Sequence, residues 1–407
     1  MSEREVGNTR FAGGNVTLDL QRPHRGGRSL RAWDAADEQL VAEAMARLEP
    51  GQRVAVVDDS FGALALGLSR FRPDVVSDSA ALAEGLALNA ERNGLPCSSV
   101  TGWDERLQHL SGSVESEPAR YDAVILKVPR QLDYLAFLLR WCNQVIRPGG
   151  WLLTGGMIKH LPDQAVRVYQ ELVETEAVLP ARKKARLVLC RPGSPTLDGW
   201  ERLWLGYNVA GLPAPVQGLP AVFSRDRLDP GSRELLPVIR HRVAALPEGS
   251  PVLDLACGNG LLGLTALAKR PDLRLSFADI SSQAVISARR NLAASGFMAA
   301  DNTRLVFHAD GVPAQTGPFR MVLLNPPFHE GGAVGDHIAL RLFAQAAQNL
   351  TADGELLMVG NRHLGYHRSL RSFFHEVGQL HASPRFVVFR GTRPRLPVSQ
   401  GQERGRS

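Results

Sequence analysis

Short apolar runs alternate with amphipathic stretches along most of the chain. In the second half, Val252–Ala256 is a short, mostly apolar run that ends in a glycine-rich turn, as a buried strand does. Leu261–Ala268 follows with helical spacing, then Leu273–Asp279 as a second strand and Ser282–Ala294 as a helix opened by a serine cap. Leu305–His308 and Met321–Leu324 are the next strands. The latter runs into Asn325-Pro326-Pro327-Phe328. A helix near His337–Asn349, a strand at Glu355–Val359 and a late, antiparallel strand at Arg385–Phe389 complete the series. Alternation of this kind predicts a mostly parallel sheet with helices on both faces.

The first half repeats this order. VVDDSFGALALGL (Val56–Leu68) resembles VLDLACGNGLLGL (Val252–Leu264), and matching letters sets Asp58 on Asp254, Gly62 on Gly258 and Gly67 on Gly263. Further matches follow in order: Asn89 and Gly94 with Asn291 and Gly296, YDAVILKVPR (from Tyr121) with FRMVLLNPPF (from Phe319), and the segments around Gly150 and Gly354. Matches at a nearly constant separation mean two tandem copies of one α/β fold. The expected domains are 1–190, a Pro/Gly-rich linker at 191–221, a second domain at 222–395 and a basic tail at 396–407. A small strand is expected in the aromatic stretch Trp200–Trp204. The ends, up to about Arg28 and from Pro394, read as poorly ordered.

Composition narrows the class. With 407 residues and 44% hydrophobic content the chain can bury two cores. No apolar run is long enough to span a bilayer, and the N-terminus has no signal-like apolar region, so a cytoplasmic protein without membrane contact is expected. The four cysteines are scattered, with no CxxC and no HExxH-type histidine spacing, so neither a disulfide framework nor a metal site is expected. A net charge of +6, rich in arginine, suits a polyanionic partner.

Gly258-Asn259-Gly260-Leu261-Leu262-Gly263 fits GxGxxG, a turn also used by nicotinamide dehydrogenases. Asp254, at the end of the first strand, separates the two cases. A carboxylate beside the turn repels a pyrophosphate but favours the ammonium and sulfonium of S-adenosylmethionine. The glycines let the backbone approach the cofactor. Asp279, ending the next strand, is placed for ribose hydroxyls, and Asp310 for the adenine amine. Ala256, Asn259, Ile280 and Gly311 complete the expected cofactor contacts. The competing view of each aspartate is a solvated loop residue or, for Asp254, a cap.

Asn325-Pro326-Pro327-Phe328 is the most specific motif. An exocyclic base amine is a poor nucleophile because its lone pair is delocalised into the ring. The Asn325 side-chain oxygen and the Pro326 carbonyl can each accept an amine N–H. That turns the lone pair toward the donated methyl and stabilises charge as it develops. The prolines stiffen the turn, and Phe328 offers a face for a flipped base.

With these motifs, the segment Val222-Phe223-Ser224-Arg225 with Asp229 and Gly231 resembles bacterial ribosomal RNA guanine-N2 methyltransferases. Ala32–Glu38, Asp59–Leu64, Lys127-Val128-Pro129 and Asn361–Leu364 are similar to the large-subunit (23S) branch. The resemblance covers nearly the whole chain. It implies two Rossmann-like class I methyltransferase domains, S-adenosylmethionine as cofactor, and N2 methylation of a guanine in 23S ribosomal RNA; a monomer is expected. The NPPF motif alone also serves adenine and glutamine methyltransferases. The alternatives are the same reaction on 16S ribosomal RNA, or a non-catalytic assembly factor.

The first copy departs from the pattern. Letter matching puts Ala63-Leu64 in place of Asn259-Gly260, and Lys127-Val128-Pro129-Arg130 replaces NPPF, so this copy is expected to be catalytically dead. Its Lys127 and Arg130, with Arg182, Lys183 and Lys184, are the expected RNA contacts.

Overall fold

A computed structural model describes residues 9–24, 31–107, 120–298, 303–314, 316–327 and 336–395. Phe328 and the expected tail at 396–407 lie outside these residues. Two compact units emerge. One is Met1–Leu205 with Leu219–Ala221 and Ile280–Gln283; the other is Gly206–Gly218, Val222–Asp279 and Ala284–Ser407.

The first unit runs β1 (Arg10–Gly13), β2 (Val16–Asp19), α1 (Ala35–Arg47), β3 (Val54–Val57), α2 (Ala63–Gly67), β4 (Asp74–Val76), α3 (Ala81–Asn93), β5 (Val100–Thr101), α4 (Trp103–Arg106), β6 (Tyr121–Lys127), α5 (Leu132–Val145), β7 (Ile146–Met157), α6 (Asp163–Leu172), β8 (Val173–Val178) and β9 (Ala185–Pro192). The second runs β10 (Leu205–Tyr207), β11 (Val216–Gly218), α7 (Pro230–Val243), β12 (Pro251–Leu255), α8 (Leu261–Lys269), β13 (Arg274–Asp279), α9 (Ser282–Ala294), β14 (Arg304–His308), β15 (Phe319–Leu324), α10 (Asp336–Gln348), β16 (Leu350–Asn361), α11 (Tyr366–Leu370), β17 (Phe374–Ala382) and β18 (Phe386–Pro394).

Each unit is built on a seven-stranded sheet, ordered β5-β4-β3-β6-β7-β9-β8 in the first and β14-β13-β12-β15-β16-β18-β17 in the second. Five strands are parallel and the final hairpin pairs antiparallel. Alternate residues of the second sheet bury opposite faces. Val252, Phe277, Met321 and Leu323 pack with α7 and α8, while Leu253, Leu255, Val322 and Leu324 pack with Phe343 of α10. Both faces are therefore dry, as the apolar runs require. No described helix is long and apolar enough to cross a membrane.

Three expectations change. Within the N-terminal stretch that reads as poorly ordered, β1 and β2 pair and carry Phe11 and Leu18 into the core. Trp200–Trp204 is a turn, and the strand forms just after it as β10, which pairs with β11. Residues 206–218, expected within the linker, fold with the second unit. Asn291 fastens them by accepting from Gln217 N (2.9 Å) and donating to Gln217 O (2.7 Å). Asn89 makes the same pair of bonds to Gln21 in the first unit. The hairpin is thus part of the duplicated unit.

The sheet registers also correct the alignment of the copies. Val57 pairs with Leu126 and Leu255 with Leu324, so Val57 corresponds to Leu255 and Val56 to Asp254. Asp58 and Ala256 share the same left-handed backbone (φ 55°), and Gly62 and Gly260 are the left-handed N-caps of α2 and α8. The second glycine of the turn is therefore retained in the first copy. Its losses are Val56 for Asp254, Ser60 for Gly258 and Phe61 for Asn259. Letter matching misplaced the turn because Asp-x-x-x-Gly recurs two residues out of step.

Candidate active site

β12 and β15 are neighbours, and the chain leaves β12 toward β13 and β14 before returning to β15 on the other side. The carboxyl ends of two such strands border the crevice where open α/β sheets bind ligands. Leu255 and Leu324 are register partners, so the glycine turn and Asn325 leave the sheet side by side.

On the β12 side, Asp254 is fully buried. One oxygen accepts from Gly263 N (2.8 Å), and the other is buried without a hydrogen-bond partner among the described residues. Burial pushes the carboxyl well above the usual carboxylate range; the Gly263 amide opposes this and nearby Asp279 adds to it. An acceptor so placed suits a cationic group arriving at the turn. Asp279 Oδ2 accepts from Gly258 N (2.8 Å) and holds the turn against β13. Gly258 itself faces open space where a Cβ would stand, so packing does not require it. Gly263 is different, since a Cβ there would lie 2.3 Å from Phe277 and force α8 off the sheet. Ala256 holds a left-handed conformation, unusual for a residue with a side chain.

The remaining expected cofactor residues divide. Asn259 is buried, and its amide donates to the Tyr207 hydroxyl (3.2 Å), so its side chain serves the hairpin. Ile280 is an exposed apolar side chain next to Asp279. Asp310 is ion-paired with Arg341 of α10. Gly311 is accounted for by its backbone, whose φ of 107° is one that residues with a side chain rarely adopt.

On the β15 side, the Asn325 amide nitrogen donates to Asp229 Oδ2 (3.1 Å) and Ser232 Oγ (3.0 Å). Asp229 is the N-cap of α7 and also accepts from Ser232 N (2.7 Å). A carboxylate accepts and cannot donate, so it fixes which end of the amide faces it. The other end, Asn325 Oδ1, is buried and accepts no hydrogen bond among the described residues. An acceptor left in that state costs about 1–3 kcal/mol. A donor carried by a substrate would recover it. Pro326 is buried and Pro327 exposed, and both lock the backbone leaving β15. Sequence reasoning missed Asp229 and Ser232 as partners of Asn325. Asp229-Pro230 reads as a helix start, yet nothing in the sequence aims it at a residue far downstream.

Lys127 occupies the position of Asn325 in the first unit, since it follows Leu126 as Asn325 follows Leu324. It does not face solvent as an RNA contact would. Its ammonium lies 2.6 Å from both Asp34 and Asp37, with the lysine side chain only 11% exposed. Burial works against the charge, but Asp37 and Asp34 outweigh it and hold the pKa above the ordinary lysine value. Lys127 is therefore withdrawn from the expected RNA contacts. Asp34 and Asp37 form the capping box of α1, as Asp229 and Ser232 open α7. Arg130, by contrast, is exposed. Lys183 and Lys184 form an exposed hairpin tip with φ of 48° and 60°, positions that usually take Asn-Gly, and Arg182 flanks them. Lys183 pairs with Glu38 (2.7 Å).

Comparison with known proteins follows this division. Residues 214–390 match the family model described as methyltransferase small domain, and residues 8–194 match the RLMG N-terminal domain. The chain is 36% identical over 392 residues to the ribosomal RNA large subunit methyltransferase G of Pseudomonas aeruginosa (strain PAO1), covering 93% of this chain and 98% of that protein. Identity to the protein of the same name from Streptomyces griseus is 34% over 401 residues, covering 94% and 99%. Among solved structures, the T. thermophilus 16S rRNA N2 G1207 methyltransferase (RsmC), in complex with AdoMet and guanosine, superposes with a TM-score of 0.73. It is 23% identical, with 96% of this chain and 99% of that one covered. This last likeness is one of fold.

Proposed function

The chain belongs to the ribosomal RNA large subunit methyltransferase G family, and from that premise we propose that Asn325 presents the acceptor that orients a guanine N2 amine for methylation in 23S ribosomal RNA. The unpartnered Asn325 Oδ1 carries the proposal. Asp229 and Ser232 hold the amide nitrogen, so the oxygen is ready for an amine N–H without reorganisation. The second N–H is left for the Pro326 carbonyl. With both hydrogens held, the amine lone pair points along one direction. No strong base is required, because the methylated ammonium is itself a strong acid and releases its proton readily.

The methyl donor is S-adenosylmethionine, which when bound supplies an electrophilic methyl group on a sulfonium. The residues fit it. Asp254 offers a buried acceptor for a cationic group, Gly258 leaves its side-chain space open, and Asp279 and the exposed Ile280 are assigned to the ribose and the adenine face. Asp310 is a proposed acceptor for the adenine amine, steadied by Arg341. Phe328 remains the proposed stacking face for the base.

Catalysis is assigned to the second unit. The first unit is given to RNA binding through Arg130, Arg182, Lys183 and Lys184. The enzyme is proposed to act in the cytoplasm as a single chain, since the donor turn and Asn325 come from one domain. The test is methyl transfer to large-subunit ribosomal RNA by Asn325→Ala, with donor affinity measured on the same preparation. Transfer should fall while donor affinity holds; turnover at the wild-type rate removes the role given to Asn325.

A further inference from the structure

The first unit holds a cleft at the amino edge of its sheet, the edge away from Lys127. Its volume is about 480 Å³, and it is walled by residues 50–53, the segment Arg70–Arg72, and the starts of β4 and β6 at Asp74 and Tyr121. Three guanidinium groups line it. Arg53 and Arg72 are exposed, and their side chains make no ion pair among the described residues. Arg70 lies over Phe71, 4.5 Å from the ring centroid. The lining carboxylate, Asp74, accepts a hydrogen bond from the Tyr121 hydroxyl (2.8 Å). Arginine does not shed its charge, so the cleft carries uncompensated positive charge on a concave wall, where the field is focused.

The same corner of the second unit is closed by its own charges. Register pairs Ala55 with Asp74 and Leu253 with Ser276, so counting back from the strands sets Arg70 against Asp272. Asp272 accepts from Gly249 N (3.1 Å) and receives Arg270 through two bonds of 2.7 Å. Arg270 then donates to the carbonyls of Leu246 (2.9 Å) and Val243 (3.2 Å). One copy has spent its charges on itself; the other leaves them facing a cavity. Fold maintenance explains the first arrangement and not the second.

We propose that this cleft is a second RNA-binding site, in which Arg53 and Arg72 grip phosphodiester oxygens of the ribosomal RNA substrate. The Arg70–Phe71 stack backs the adjoining nucleotide. Bidentate guanidinium contacts suit a phosphate, and stacked planes suit any base, so the site holds the strand without reading its sequence. The proposal rests on ribosomal RNA being the substrate.

The test uses the full chain and protein-free large-subunit ribosomal RNA, with affinity measured over a range of salt. Arg53→Ala/Arg72→Ala should weaken binding about tenfold and flatten the salt dependence by roughly 0.7 per lost contact. Donor affinity should stay at the wild-type value, which reports a folded protein. Arg10→Ala/Arg167→Ala, which removes equal charge from exposed positions elsewhere in this unit, should cost far less. Unchanged affinity and slope in the cleft variant, or an equal loss in the charge-matched control, overturns the proposal. Wild-type protein that binds the RNA but does not methylate it would remove the proposed reaction and leave this comparison intact.

Discussion

The two units place a strand-end residue against the first turn of a helix in the same way and use it differently. In the second, Asp229 and Ser232 hold the nitrogen of Asn325 and leave its oxygen unsatisfied. In the first, Asp34 and Asp37 hold Lys127 and leave none of its charge for a ligand. Replacing one serine by an aspartate and one asparagine by a lysine turns a polarised, half-satisfied amide into a buried ion cluster. The lesson is that a catalytic acceptor is recognised by what it still lacks. A site that has closed on itself has become structure.

The largest effect should come from the amide. Asn325→Ala should lower methyl transfer by roughly 10²–10³, the cost of losing one oriented polar group, with donor affinity kept. Lys127→Ala should leave Asp37 as a buried, uncompensated carboxylate beside the partly exposed Asp34. Denaturant titration should then show a loss of about 3–5 kcal/mol. Transplanting the first unit's arrangement sharpens the comparison: Ser232→Asp with Asn325→Lys should fold and bind donor but methylate nothing, whereas Asn325→Lys alone should be less stable than the pair. Asp229→Ala should reduce kcat by about tenfold, and Ser232→Ala by less, since either loosens the amide without deleting its oxygen. Equal losses in Asp229→Ala and Asn325→Ala would point to a collapsed α7, which circular dichroism would detect.

The smallest effect is a pH dependence. Asp254 has its pKa raised, so it gains a proton on acidification earlier than an ordinary carboxyl. The ionised form attracts the donor's ammonium. Donor affinity should therefore fall as pH drops through that raised pKa, and binding below it should release protons. Calorimetry in buffers of different ionisation enthalpy would read this. Affinity that stays flat with pH in the wild type, matching Asp254→Asn, would separate Asp254 from the donor.

Much of this was legible beforehand. Periodicity placed Ser282–Ala294 at its observed limits, and the glycine turn and NPPF stood where strands end. β17 was missed because His375, Glu376, Gln379 and His381 give an edge strand too polar to show alternation. The copy alignment went wrong because letters repeat more cheaply than geometry: Gly62 and Gly260 share a left-handed cap that only coordinates reveal. The pairing of Lys127 was hidden for a related reason. Asp34 and Asp37 look like an ordinary helix start, and their reach to β6 is a tertiary contact without a local signature.

The role of Asn325 is decided most directly by a structure of the protein with guanosine and the demethylated donor bound. Asn325 Oδ1 should lie about 2.7–3.2 Å from the exocyclic nitrogen while Nδ2 stays on Asp229 and Ser232. An amide rotated so that Nδ2 meets the base, or an oxygen beyond hydrogen-bonding reach of that amine, would contradict it.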